Sequence, residues 1–170
     1  MLRKIALGLS VLVLALFIAG IAGYVITGPQ APAADSVSAQ WLKPGPYMTA
    51  SSDKVFVDSS RGTAANRDYS GAADRTLATT LWYPLDTEES HPLVIHSHGF
   101  TSARNDLSYV AELLASHGYV VAAADYPLTH GGAPGKPNAV DVVNQPADVS
   151  FLIDSVSALS GPEKPFSGSI

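Results

Sequence analysis

The residues best able to do chemistry fall in two short runs, His96-Ser97-His98-Gly99-Phe100-Thr101 and Asp125-Tyr126-Pro127. A His-Gly-x turn after an apolar run suits acyl transfer. Ester cleavage passes through a tetrahedral intermediate with a negative oxygen. Preorganised backbone N–H groups stabilise it, and losing one such donor costs about 2.7–4 kcal/mol. Gly99 either allows a close backbone approach or marks a plain strand-to-loop turn. His96 and His98, two apart on a strand, share a face. They are half of a metal site or a pair of structural, hydrogen-bonding histidines. The lack of Cys and of a following Asp-His cluster favours the second. Asp125 ends an apolar run, where a carboxylate either orients a group in the site or caps the next loop.

The other titratable groups carry plainer readings. His117 precedes Gly118 and reads as a helix C-terminal capping contact. His130 sits in a Gly- and Pro-rich loop, solvated or lining a pocket, and His91 sits in a turn. Asp148 and Asp154 are six apart and read as a first-turn helix charge and an exposed residue.

Apolar periodicity marks the elements that must position these runs. Residues 54–58 (KVFVD) read as a short strand, 61–74 as a polar loop or hairpin turn, and 76–83 (TLATTLWY) as a strand stopped by Pro84. Residues 92–98 (PLVIHSH) are near-continuously apolar, the pattern of a strand buried on both faces. Leu107, Val110, Ala111 and Leu114 repeat at helical spacing up to Gly118, and 119–125 (YVVAAAD) is again a strand. Strand, helix, strand with short links is a βαβ crossover with parallel strands. Residues 126–145 are an irregular stretch of the length that in a compact domain is functional. Pro146 opens a helix with Val149, Leu152, Ile153, Val156 and Leu159 on its apolar face. Ligands of such sheets gather beyond the carboxyl ends of strands, where both runs fall.

The chain has 170 residues, no Cys, 10 Lys+Arg, 15 Asp+Glu and a net charge of −5. The balance excludes a general nucleic-acid binder, and the missing Cys excludes a disulfide scaffold. Arg3 and Lys4 precede an uncharged apolar run over 5–26, long enough to cross about 30 Å of hydrocarbon. Residues 1–33 therefore read as a signal peptide, cleaved near Ala31-Pro32-Ala33, or as a membrane anchor held through 5–26. In either case the domain is exported, free or anchored in the cytoplasmic membrane with its bulk outside. Residues 34–52 read as a Pro-, Ala- and Ser-rich linker, and 53–170 as the domain.

The segment from 94 to 127, VIHSHGFTSARNDLSYVAELLASHGYVVAAADYP, resembles the first crossover of the α/β-hydrolase fold. It is similar to the dienelactone-hydrolase-like and platelet-activating-factor-acetylhydrolase-like branch, and the resemblance extends over 76–170. It implies a partial α/β-hydrolase fold, a mostly parallel sheet with flanking helices, after an N-terminal apolar helix. It further implies that the Phe100 N–H is an oxyanion donor supported by His98 and Gly99. The implied substrate is a carboxylic ester or acyl-lipid, cleaved by a Ser-His-Asp/Glu triad without metal or cofactor. The nucleophile of that fold sits on Gly-x-Ser-x-Gly, which occurs nowhere among the 170 residues. Residues 165–170 (PFSGSI) resemble the segment just before the strand that carries it. The expectation is the N-terminal part of a longer serine hydrolase, inactive alone and lacking its triad. The alternative is a non-catalytic, membrane-anchored extracytoplasmic binding module.

Overall fold

The computed structural model describes residues 2–85 and 89–159; part of the charged turn read at 86–90 and the final loop at 163–170 lie outside the described residues. The chain divides into two compact units, Met1–Leu42 and Lys43–Ile170.

In the first unit, helix α1 (Leu2–Thr27) takes up the apolar run, and its stretch Gly8–Thr27 is long and apolar enough to cross a membrane. Gly28 and Pro29 end it, with the Gly28 N–H donating to Tyr24 O at 2.7 Å. A short helix, α2 (Val37–Trp41), is N-capped by Ser36, whose hydroxyl accepts from the Ala39 N–H at 3.1 Å.

The second unit holds a four-stranded mixed sheet of order β1-β2-β4-β3, with β1 Thr49–Asp58, β2 Arg75–Pro84, β3 Leu93–His96 and β4 Val120–Asp125. The first two strands pair antiparallel along their full length, from Thr49 with Pro84 to Asp58 with Arg75. β2 runs antiparallel to β4, and the crossover pair β3–β4 is parallel. β1 starts at Thr49 rather than Lys54, so the last residues of the expected linker are strand. Thr49-Ala50-Ser51-Ser52-Asp53 carries little strand pattern of its own, and the β2 ladder supplies its order.

The expectation that 92–98 is buried on both faces is corrected. β3 stops at His96 and is only half-buried, because β4 inserts between it and β2. The doubly covered strand is β4. Helix α3 (Ser108–Ser116) packs Ala111 and Ala115 on Trp82, Val121 and Ala123. Helix α4 (Gln145–Ser157) packs Leu152 and Val156 on the other face, over Leu77, Leu81, Val120, Ala122 and Ala124. The alanines of β4 let both helices approach closely. Ile153, expected on this apolar face, is 44% exposed.

Gly118 ends α3 with φ +92°, the left-handed conformation that a helix stop needs. Beside it, His117 is the C-cap of α3, as expected: its backbone N–H bonds back to Leu114 O at 3.0 Å, while its ring Nε2 lies 3.0 Å from Lys43 O. Gly45 and Tyr47 donate to Ser116 Oγ and Ser116 O at 2.8 and 3.1 Å, so 43–47 strap across the end of α3. His91, placed in a turn by the sequence, is buried, with Nδ1 2.8 Å from Gly118 O and Tyr47 edge-on at 5.7 Å.

Asp148 does lie in the first turn of α4, but it is no surface charge. It is fully buried and paired with Arg75 at 2.7 Å and Arg61 at 2.8 Å. Arg75 also reaches Asp141 at 3.0 Å.

Candidate functional site

β3 and β4 are parallel, so the loops after them emerge at one end of the sheet. Two side chains lock these strand ends together. Ser97 Oγ and Tyr126 OH are 2.6 Å apart, and the Tyr126 ring is fully buried. Burial pushes the Tyr126 hydroxyl pKa up, so it remains a neutral hydrogen-bonding group. His98, also buried, lies 5.2 Å from the Tyr126 ring, and its Nε2 accepts the Tyr126 backbone N–H at 3.3 Å. With Nε2 accepting, Nδ1 carries the proton and donates to Gly99 O at 2.8 Å.

That bond fixes a direction. The Gly99 carbonyl and the Phe100 N–H belong to one planar trans peptide, so they point opposite ways. The carbonyl is held twice, by His98 Nδ1 and by the Ser102 N–H at 2.9 Å. The Phe100 N–H is thereby aimed away from both, and it donates to nothing among the described residues. A Cβ at Gly99 would meet no atom within 4 Å, and its φ is not left-handed. The close approach expected of Gly99 is therefore not to any described part of the chain.

The close approach occurs at Gly131 instead, where a Cβ would sit 2.7 Å from Thr101 O. Thr101 donates its N–H to Thr129 O at 2.9 Å, and Gly131 donates to Ser102 O at 2.8 Å, zipping the two loops together. Thr101 takes φ +67°, strained for a β-branched residue. Relief of that strain should make Thr101→Gly more stable by up to about 1 kcal/mol, after the entropy of the added glycine is set against it. Urea unfolding checks this; a destabilised Thr101→Gly would show that the Thr101 side chain is needed to hold the loop.

Asp125 caps the loop after β3 rather than the loop that follows it. Its Oδ1 accepts the Arg104 backbone N–H at 2.7 Å, and its Oδ2 pairs with the Arg104 guanidinium. The same guanidinium donates from Nε to Thr80 Oγ1 at 3.0 Å. His96 and His98 part company because the strand ends between them. His96 Nε2 lies 2.7 Å from Asp106 Oδ1, and Ser102 Oγ donates to Asp106 Oδ2 at 2.7 Å. Burial would push the Asp106 carboxyl up, but these hydrogen bonds outweigh it and hold its pKa below the usual range. The described residues contain no group of three or more side chains able to hold a metal ion.

His130, read as solvated or pocket-lining, is half-buried and lines a cleft with Asp125. Sequence reasoning missed the hold of His98 on its neighbour's carbonyl. It also missed the loop zipper, whose partners lie about thirty residues apart. The Gly131-Gly132 pair was the available signal.

Comparison with known proteins matches the family described as platelet-activating factor acetylhydrolase, isoform II, over residues 29–127. That range holds all four strands, the Phe100 loop and Asp125. A platelet-activating factor acetylhydrolase of Cavia porcellus is 46% identical over 43 residues, which are 25% of this chain and 10% of that protein. A ferulic acid esterase from Streptomyces cinnamoneus superposes with a TM-score of 0.52 and 24% identity, over 69% of this chain and 48% of that one. This likeness concerns the fold. The chain thus spans about half of the esterase and a tenth of the acetylhydrolase. The family model covers 99 of the 170 residues, and the chain belongs to the platelet-activating factor acetylhydrolase, isoform II, family within the α/β-hydrolases.

Proposed function

We propose that this chain supplies the oxyanion-donor part of a serine carboxylester hydrolase acting on an acyl-lipid or small ester. The observation that carries the reading is the Phe100 N–H. It has no partner among the described residues, it stands at the carboxyl end of a parallel strand, and its peptide is locked by His98 and Ser102. An unpaired donor at such a place suits an oxygen that gains charge only during reaction.

In the proposed reaction a serine Oγ attacks the ester carbonyl carbon as a histidine takes the hydroxyl proton. The carbonyl oxygen becomes negative and accepts from the Phe100 N–H and from a second N–H, next to the nucleophile. Collapse expels the alcohol, which takes the proton from the histidine. Water then cleaves the acyl-enzyme by the same route. His98 takes no proton in this scheme. It keeps the Phe100 donor aimed, so no reorganisation is needed when charge develops. The serine, the histidine and the acidic residue are proposed to lie C-terminal to Ile170, and this chemistry uses no metal or cofactor.

The domain is proposed to be exported, with residues 1–33 as leader or anchor. The basic pair Arg3-Lys4 in the first turn of α1, ahead of its apolar stretch, supports this reading, with that end in the cytoplasm and the domain outside.

Incubation of the 170-residue chain with p-nitrophenyl acetate should give no turnover above a denatured control. Turnover abolished by a serine-directed fluorophosphonate would overturn the placement of the nucleophile outside these residues.

A further inference from the structure

Ser102 is the node that holds the candidate donor. Its N–H donates to Gly99 O at 2.9 Å, closing a turn over 99–102, and its carbonyl accepts the Gly131 N–H at 2.8 Å. The turn needs holding. Its third residue is Thr101 at φ +67°, a conformation that turns of this kind give to glycine or asparagine and that strains a β-branched residue. A rotation about Thr101 alone out of that conformation carries the Ser102 N–H off Gly99 O, which leaves the Gly99–Phe100 peptide to His98.

One carboxylate opposes that rotation. Ser102 Oγ donates to Asp106 Oδ2 at 2.7 Å, and Asp106 Oδ1 lies 2.7 Å from His96 Nε2. Burial would raise the Asp106 pKa, but the bonds from Ser102 and His96 hold it below the usual range, so the group is ionised. An ionised carboxylate only accepts, so His96 Nε2 carries the proton and donates it. Hydrogen bonds to a charged acceptor are about twice as strong as neutral ones. The far side of this link is rigid. His96 is the last residue of β3 and pairs with Ala123 of β4 in the ladder. Asp106 itself stands two residues before α3, whose Ala111 and Ala115 pack on the sheet. The backbone bonds of Thr101 and Gly131 tie the turn to the loop after β4, and Asp106 ties it to β3 and α3.

We propose that Asp106 is a positioning residue: its carboxylate, braced by His96, holds Ser102 on Gly99 O and so keeps the Phe100 N–H aimed at the reacting oxygen. The hold on the turn stands by itself, whereas its purpose rests on the reading of Phe100 as the oxyanion donor.

Hydrogen exchange of the 170-residue chain in detergent micelles, read by NMR, tests the hold. Asp106→Ala should speed exchange of the Ser102 amide by about 10–100-fold, the worth of a hydrogen bond to a charged group, and leave the amides of β4 unchanged. Ser102→Ala should speed exchange at the same position to the same extent. The double variant should be no faster than either single one, because all three remove one link. Asp106→Asn keeps an oxygen acceptor and should restore most of the protection. No change at the Ser102 amide, or additive effects in the double variant, would overturn the proposal. An equal rise across β4 would make Asp106 a support of the whole fold and would also overturn it. If Asp106→Ala does not fold, Ser102→Ala decides the matter, since it removes the same bond from the other side.

Kinetics in a reading frame extended through the proposed nucleophile tests the purpose. Asp106→Ala should lower kcat by about 10-fold with KM unchanged, a fraction of what loss of the whole donor costs, and Asp106→Asn should recover most of it. A loosened Ser102 amide with kcat unchanged would uphold the hold on the turn and overturn the reading of Phe100 as the donor.

Discussion

Phe100→Pro, placed in a reading frame that carries this chain and the nucleophile proposed to follow it, is expected to lower kcat by about 10²–10³-fold. Proline removes the one backbone donor and nothing else of comparable polarity. The preceding residue is Gly99, which tolerates the backbone limits that proline imposes. KM should move little, because the hydrogen bond forms fully only when the carbonyl oxygen is charged. Phe100→Ala keeps the N–H and should lose far less. The Phe100 side chain is 49% exposed, so its loss leaves no buried cavity. Steady-state kinetics of the two variants, with circular dichroism to check folding, makes the comparison. A kcat within about threefold of wild type for folded Phe100→Pro would remove Phe100 from the oxyanion site.

Arg75→Met is expected to destabilise the fold by about 3–5 kcal/mol, the cost of leaving buried charge unpaired. Arg75 is 1% exposed and grips Asp148 through Nε and Nη2 at 2.8 and 2.7 Å. It grips Asp141 through Nη1 and Nη2 at 3.1 and 3.0 Å. Burial alone would lower the Arg75 pKa, but the two carboxylates outweigh it and raise it, so the guanidinium stays charged. Methionine fills the volume but satisfies neither carboxylate. Arg61 would still neutralise Asp148 in part, whereas among the described residues Asp141 would keep only the Asn144 amide at 2.7 Å. Adding Asp148→Asn should therefore recover some of the loss, and the non-additivity measures the coupling. Denaturant unfolding of wild type, Arg75→Met and the double variant reads it. A midpoint unchanged in Arg75→Met would mean that the ion cluster is open to water.

This cluster also marks the limit of what the sequence makes legible. Asp148 is readable as a first-turn helix charge, but not as a buried one, because Arg75 lies 73 residues away and shares no local pattern with it. The helices and strands were more accessible. Leu107, Val110, Ala111 and Leu114 mark α3, Gly118 marks its end, and Pro146 marks the start of α4. The parallel β3–β4 pair follows from strand-helix-strand order. Strand order does not follow, since nothing local in 75–84 says that β2 pairs with β4. The half-exposure of β3 was hidden for that reason. In the candidate site, the Gly99-Phe100 turn was visible as a motif. Its orientation was not, because it depends on His98 leaving the strand alternation two residues after β3 ends and bonding to its neighbour's carbonyl. The His130 cleft was hidden because the hairpin and loop that form it are over fifty residues apart.

The central claim is that these residues are the oxyanion-donor part of a serine ester hydrolase. The most direct test is to express the reading frame with the sequence downstream of codon 170, label it with a fluorophosphonate and assay p-nitrophenyl acetate. The account predicts a labelled serine within Gly-x-Ser-x-Gly, encoded within a few dozen codons, and turnover that the label abolishes. A stop at codon 171 with no such motif in any downstream frame, or an extended chain that neither labels nor hydrolyses, would contradict it.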